Sequence, residues 1–268
     1  MKILILGDVM GVAGRKVLNK KLPDLIKKND VDFVIVNGEN AADDGKGITQ
    51  DIAEEFFFSG VDVITSGNHI WDKREITGYI DKEKRLLRPA NLAKGSPGKG
   101  YDIFLSKNKK YKIGVINLMG NVFMRKTEDV FKEAAELKRK MALKKNIDFL
   151  VIDFHGEITS EKMALGHFFD GQATCVVGTH THVPTADTRI LNKGTAYQTD
   201  IGMCGDYNSV IGMNKENSIK KFLKDKSASN HFPSTGEGSL SGIIVDVDLE
   251  TGLAKKTTRL IVGGSLEK

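Results

Sequence analysis

Short apolar runs alternate with amphipathic stretches in the first third of the chain. The apolar runs are rich in Ile, Leu and Val, which is typical of buried strands. Strands are predicted at 2–7, 32–37 and 61–67. Helices are predicted at 14–29, 49–60 and 72–80, and Thr49 is a candidate cap of the second helix. Strands that alternate with helices indicate parallel pairing through crossover connections.

The pattern changes from Tyr101 onward. Two apolar runs around a polar, Lys-rich turn at 106–110 predict a β-hairpin. Further strands are predicted at 147–155, 173–180, 188–191, 195–199, 239–250 and 257–262. Helices are predicted at 128–145 and 160–169, and the segments 204–212 and 224–238 are expected to be irregular. The simplest interpretation is an α/β fold in one domain, 1–268, with parallel and antiparallel sheet segments, as two sheets packed face to face between helices.

Five of the predicted strands end in a residue that can bind a metal or carry a proton. These residues are Asp8, Glu39 with Asn40, Asn68 with His69, His155, and His180 with His182. In open α/β sheets, ligands bind beyond the carboxyl ends of the strands. Asp and Asn are also common where strands give way to loops, so each one alone has an ordinary explanation. All five together, with four of the six histidines, indicate a common site.

The two histidines of GTHTHVP, residues 178–184, stand one residue apart. In an extended segment such side chains point to the same face, about 7 Å apart. They can then bind one metal or divide between two. Carboxylate, amide and imidazole groups without cysteine suit Mn²⁺, Fe²⁺, Zn²⁺ or Mg²⁺, and seven candidate ligands are enough for two metals with a bridging carboxylate.

Composition narrows the class of protein further. The chain has 268 residues, and none of its apolar runs approaches the roughly 18 residues of a membrane span. Asp8 interrupts the apolar start, so a signal peptide is not predicted. Cys175 and Cys204 have no spacing typical of a zinc site or disulfide framework, which favours a reducing, cytoplasmic location. The net charge of +5 favours anionic ligands.

In order along the chain, Asp8, Gly38-Glu39-Asn40, Gly67-Asn68-His69, His155 and Gly178-Thr-His180-Thr-His182 resemble the five motifs of the calcineurin-like metallophosphoesterases. The resemblance runs from residue 3 to about residue 184. The stretches NGENAADDGKGIT, SGNHIWD and RPANL look like a narrower group, the YmdB-type bacterial phosphodiesterases that act on 2′,3′-cyclic nucleotides.

The resemblance implies a four-layer α/β/β/α sandwich with mixed parallel and antiparallel sheets around a binuclear metal centre. Carried over residue by residue, one metal takes Asp8, Glu39 and His182, with Asn40 as a further candidate. The other takes Asn68, His155 and His180, and Glu39 bridges the two. The implied cofactors are two divalent or mixed-valence metal ions, first iron or manganese, with zinc or magnesium as alternatives. A metal-bridged hydroxide is then expected to attack phosphorus while His69 protonates the leaving oxygen.

Two positions depart from the broad family. Met10 stands two residues after Asp8, where that family usually has a histidine, and the bridging acid is Glu39 rather than aspartate. Both departures match the narrower group, in which Asn40 is expected to replace the missing histidine. Whether Met10 weakens the metal site that contains Asp8 is open.

Other functions remain possible on the same residues. A phosphomonoesterase or a nuclease could use the same metals, because pocket shape selects the substrate. RNA is the weaker substrate class, since the sequence has no interleaved basic and aromatic motif. A slow or non-catalytic sensor of a metal or nucleotide is the alternative of a different class. The expected partner is a small phosphodiester or cyclic nucleotide, without a membrane, and a homo-oligomer is left open.

Overall fold

The computed structural model describes residues 1–267. The strands are β1 Lys2–Leu6, β2 Asp8–Val9, β3 Phe33–Asn37, β4 Val63–Thr65, β5 Tyr101–Leu105, β6 Lys112–Met119, β7 Phe149–His155, β8 Cys175–Thr179, β9 Arg189–Ile190, β10 Ala196–Gln198, β11 Met203–Cys204, β12 Leu240–Val247 and β13 Ala254–Val262. The helices are α1 Gly11–Asn29, α2 Gln50–Phe58, α3 Ile76–Ile80, α4 Val130–Lys140, α5 Thr159–Phe168 and α6 Lys215–Phe222.

The strands form two large mixed sheets. The first has the order β13-β12-β1-β3-β4, in which β1, β3 and β4 are parallel and β12 and β13 antiparallel. The second has the order β5-β6-β7-β8-β10-β9, with a parallel centre from β6 to β10 and an antiparallel strand at each edge. The short strands β2 and β11 pair separately.

Three apolar cores hold four layers together. Alternate residues of the two sheets, such as Ile3 and Ile35 from one and Val115 and Val151 from the other, fill the core between the sheets. The opposite face of the first sheet packs on α1, α2 and α3, and that of the second sheet packs on α4 and α5. Both faces of each central strand are buried, which explains why these strands are continuously apolar. The predicted α/β/β/α sandwich with mixed sheets is confirmed.

Side-chain caps begin α2, α4 and α6. Thr49 caps α2 as predicted, because its hydroxyl accepts the N–H of Ile52 at 3.3 Å. The helix α4 is shorter than the predicted 128–145: Asp129 caps its start, and the chain leaves the helix at Met141, whose side chain is buried. The helix α6 was not predicted, because its apolar residues are largely exposed and follow no buried stripe.

No helix within residues 1–267 is long and apolar enough to cross a membrane.

Candidate metal centre

The candidate residues meet at one edge of the sandwich, beyond the carboxyl ends of parallel strands. Glu39 and Asn68 follow β3 and β4, which are neighbours in the first sheet. His155 ends β7 and His180 follows β8, which are neighbours in the second sheet. Since the two sheets pack face to face, their carboxyl ends open onto the same space.

Three acceptor atoms converge on Nε2 of His155. Glu39 Oε1 lies 2.9 Å from this nitrogen, His180 Nδ1 3.0 Å and Asn68 Oδ1 3.1 Å. A single ring N–H can donate to one of them, not to all three. Ligand atoms of Glu39, His155 and His180 lie within 4.8 Å of one another. The first cluster is defined as Glu39, Asn68, His155 and His180. Its oxygen and nitrogen lone pairs could bind one cation together.

A second cluster consists of Asp8, Asn40 and His182. The Nδ1–H of His182 donates to the carbonyl of Ile211 at 2.7 Å, so its Nε2 carries a lone pair when the ring is neutral. That nitrogen lies 3.1 Å from Asn40 Oδ1, which is also an acceptor, because the Asn40 amide group donates to Gly45. Asp8 Oδ1 is buried and has no hydrogen-bond partner among residues 1–267. Asp8 Oδ1 lies 3.6 Å from His155 Nδ1, and the facing acceptors of Asn40 and His182 together with this buried carboxylate fit a second cation.

Burial and mutual proximity shift the pKa values of these groups in opposite directions. Burial raises the pKa of Asp8 to about 6, although His182 and His155 act against it. Burial would also raise the pKa of Glu39, but the charge and hydrogen bond of His155 lower it to about 2. Burial would lower the pKa of His155, but Glu39 raises it to about 9. Burial and the charge of His155 lower the pKa of His180 to about 3. Positive charge is thus concentrated on the imidazole of His155, on whose Nε2 the three acceptor atoms converge.

A buried network orients His155 from behind. Its Nδ1 lies 2.9 Å from Thr179 Oγ1, whose own proton goes to Asp153 at 2.8 Å. The amide group of Asn37 donates to the same carboxylate at 2.9 Å. Nδ1 must therefore carry the hydrogen, which directs Nε2 toward the first cluster. Asp153 has an ordinary place in a strand when the sequence is considered alone, so no local signal reveals this role.

Glu157 orients the next histidine in a similar way. Its Oε2 lies 3.1 Å from Nε2 of His180, which leaves Nδ1 of that ring for the first cluster. By its place two residues after His155, Glu157 could be either a solvated turn residue or an orienting partner of a ligand histidine. The structure supports the second.

His69 lies beside the first cluster without joining it. Its backbone N–H donates to Glu39 Oε2 at 3.2 Å, while its ring Nδ1 lies 2.8 Å from Asp72 Oδ2. The other oxygen of Asp72 lies 3.6 Å from the Arg125 guanidinium. Asp72 is the first residue of the predicted helix 72–80, where an aspartate is typical of a helix cap. It is instead the partner of His69, three residues away.

The two histidines after β8 do not continue the strand, and the argument from an extended segment is wrong. His180 and His182 both have left-handed backbone, with φ of 96° and 65°. Such conformations cost L residues about 1–3 kcal/mol each. The left-handed backbone places the ring of His180 in the first cluster and the ring of His182 in the second.

Met10 has a packing role. Its side chain is buried, and a Cβ added at Gly45 or Gly212 would lie 2.7 Å or 2.4 Å from it. Met10 thus fills the space between the loops that carry Asn40 and Ile211, the two partners of His182. An apolar residue suits this place, and Asn40 supplies the polar group beside the second cluster.

The sequence pattern of a family described as YmdB-like protein matches residues 4–260. The chain belongs to the YmdB-like family. The predicted YmdB-type resemblance is therefore confirmed over almost the whole chain, well beyond the motifs that suggested it.

Three relatives illustrate the range of similarity. A 2′,3′-cyclic-nucleotide 2′-phosphodiesterase of Bacillus subtilis (strain 168) is 46% identical to this YmdB-like chain, over 98% of it and 97% of the relative. The crystal structure of a phosphatase from Mycoplasma pneumoniae is 40% identical, with a TM-score of 0.90, over 98% of this chain and 93% of that chain. A 5′-nucleotidase from Candida albicans is 14% identical, with a TM-score of 0.56 over 97% of this chain and 51% of that chain, and shows the fold alone.

Proposed function

We propose that this chain is a two-metal phosphodiesterase that hydrolyses 2′,3′-cyclic nucleotides. The relatives named as phosphodiesterase and phosphatase, 46% and 40% identical, make it an enzyme of the metallophosphoesterase kind. The observation that carries the finer proposal is the convergence of unprotonated acceptors on His155 Nε2, next to a second set of buried acceptors.

The two clusters would each hold one divalent cation. One site takes Asp8, Glu39, Asn40 and His182, and the other takes Glu39, Asn68, His155 and His180. Bound cations supply Lewis acidity, a water of lowered pKa and neutralisation of phosphate charge. Oxygen and imidazole ligands without sulfur favour iron or manganese, and zinc or magnesium as alternatives.

The residues of the chain itself direct the proton and the substrate. In hydrolysis a water oxygen bonds to phosphorus and the bond from phosphorus to one ribose oxygen breaks. His69 gives its Nε2 proton to that departing oxygen, which stays attached to the ribose as a hydroxyl group, and the proton that the attacking water gives up restores Nε2. Asp72 accepts from Nδ1 at 2.8 Å and thereby holds the ring with Nε2 outward. Both oxygens of Asp72 have a partner, His69 and Arg125, so the carboxylate stays in place.

The substrate class is proposed from the name of a relative. The Bacillus subtilis relative bears the name of a 2′,3′-cyclic-nucleotide phosphodiesterase. Lys73 and Arg125 lie close to the His69 loop but face carboxylates, Asp44 at 2.7 Å and Asp72 at 3.6 Å, so the proposed substrate class rests on this relative. Since both sheets contribute ligands, the chain would act as one domain. Its two free cysteines are buried, which suits a cytoplasmic enzyme.

The decisive experiment compares the natural chain with Glu39→Gln. Metal content is measured by elemental analysis, and hydrolysis is measured with bis-p-nitrophenyl phosphate, p-nitrophenyl phosphate and 2′,3′-cyclic AMP. For the natural chain we expect about two metals per chain and faster hydrolysis of the diesters than of p-nitrophenyl phosphate. Glu39→Gln should lose both the metal and the diester hydrolysis. Glu54→Gln, an exposed change on α2, serves as the matched control.

A chain that holds one metal or none, with activity indifferent to Glu39, would contradict the proposal. Preference for p-nitrophenyl phosphate would instead identify a phosphomonoesterase on the same site.

A further inference from the structure

A buried ion pair lies directly behind the loop that carries His180 and His182. Lys162 Nζ is 2.7 Å from Asp200 Oδ2, and each side chain is 1% exposed. Two buried charges lose their hydration, and their attraction roughly offsets that loss, so such a pair adds little net stability. Its hydrogen bonds indicate a different role.

Asp200 holds the residue between the two histidines. Its Oδ2 accepts both the backbone N–H of Thr181 at 3.1 Å and the hydroxyl proton of Thr181 at 2.7 Å. On either side of Thr181 the backbone is left-handed, which is unfavourable for residues with a side chain. Two bonds to one buried carboxylate fix this short segment and with it the direction of both imidazoles.

The same carboxylate reaches the strand that carries Asp8. Asp200 Oδ1 accepts the N–H of Gly202 at 2.8 Å, and the carbonyl of Gly202 accepts the N–H of Asp8 at 3.2 Å. Asp8 Oδ2 in turn accepts the N–H of His180 at 3.0 Å. A closed ring of hydrogen bonds thus joins the carboxylate to two candidate ligands, Asp8 and His180, and the third, His182, follows Thr181 directly in the chain.

Gly178 makes room for this arrangement. A Cβ at Gly178 would lie 2.8 Å from Lys162 Cδ and 1.8 Å from the carbonyl oxygen of Thr199. The first residue of GTHTH is therefore glycine because the lysine stem and a neighbouring backbone pass against it.

We propose that Lys162 and Asp200 are positioning residues for metal binding. Asp200 sets the placement of His180, His182 and Asp8, and Lys162 neutralises the carboxylate so that it can stay buried in that place. The inference rests on the proposed metal centre. It adds two residues that lie outside the ligand set and outside the motifs that define it.

The test is metal affinity of Thr181→Val, which removes the hydroxyl donor while keeping the volume of the side chain. Metal-free protein is titrated with Mn²⁺ by calorimetry, and its melting temperature is recorded separately. We expect the dissociation constant to rise about tenfold or more, as for the loss of other groups that orient metal ligands. Thr181→Ser keeps the donor and should stay within about threefold of the natural chain.

Thr174→Val is the matched control. Thr174 directly precedes β8, at the end of that strand away from His180. Its buried hydroxyl donates to the carbonyl of Gly252 and accepts the N–H of Leu150. Its loss should lower the melting temperature and leave Mn²⁺ affinity unchanged. Lys162→Met should weaken Mn²⁺ binding as well, and Thr181→Val decides the question if Lys162→Met does not fold.

The outcomes separate this inference from the proposed function. Natural protein that binds two Mn²⁺ with Thr181→Val binding equally tightly would overturn the positioning role and leave the metal centre intact. An equal loss of affinity in Thr174→Val would also overturn it, because a general loss of stability would then explain both. Natural protein without Mn²⁺ binding would overturn the metal centre and the inference together.

Discussion

Gly67 faces the first cluster so closely that a single methyl group tests the whole arrangement. An added Cβ would lie 2.3 Å from Glu39 Oε2 and 2.3 Å from both Cδ2 and Nε2 of His155, whereas real Cβ contacts essentially never fall below 3.0 Å. Gly67 is not among the residues with positive φ. Alanine therefore fits the backbone, and the perturbation is purely steric.

The size of the effect follows from these distances. The atoms of Glu39 and His155 have to retreat by roughly 0.7 Å to restore an acceptable contact. Both side chains are fully buried and hydrogen-bonded, so they cannot move without disturbing their neighbours. A misplacement of about 1 Å in an active site can reduce the rate about 100-fold. We expect Gly67→Ala to lose at least that factor in kcat/KM, together with part of its metal.

The assay measures kcat/KM for 2′,3′-cyclic AMP and metal content on the same preparation. Gly78→Ala is the control, because a Cβ at Gly78 in α3 meets nothing within 4 Å. That variant should keep its metal and activity and gain roughly 0.5–1 kcal/mol of stability, since alanine is the better helix residue. Gly67→Ala with two metals and unchanged kcat/KM would refute the assignment of Glu39 and His155 to the metal centre.

Three further predictions use other parts of the molecule. His69→Ala should lower kcat about 100-fold or more while metal content stays unchanged; loss of metal would mean that His69 is a ligand. Asp72→Asn should lower kcat less than His69→Ala, with little change in KM, because the ring stays present but loses its partner; a change in KM alone would contradict the orienting role. Burial raises the pKa of both thiols, that of Cys204 to about 12. Neither thiol should react with Ellman's reagent at pH 8 until the chain unfolds, and rapid reaction of the native protein would disprove their burial.

Much of the fold could be predicted from local patterns. Apolar runs at strand spacing identified β1, β3, β7 and β8, and the residue types at their ends pointed to the site. This works because a strand buried on both faces needs apolar residues throughout, whatever lies beyond it. Helix α6 is not predicted because this kind of inference depends on burial. Its apolar residues are largely exposed and form no buried stripe.

By itself, the sequence determined which residues could bind metal, because their chemistry and their places after buried strands are local properties. Tertiary structure decided which of them meet. Asn40 and His182 are 142 positions apart and Asn68 and His155 are 87 apart, so their contacts depend on how two sheets pack. The pairing of Lys162 with Asp200 left no local signal, because burial of an ion pair is a property of the surrounding layers and not of its neighbours in the chain.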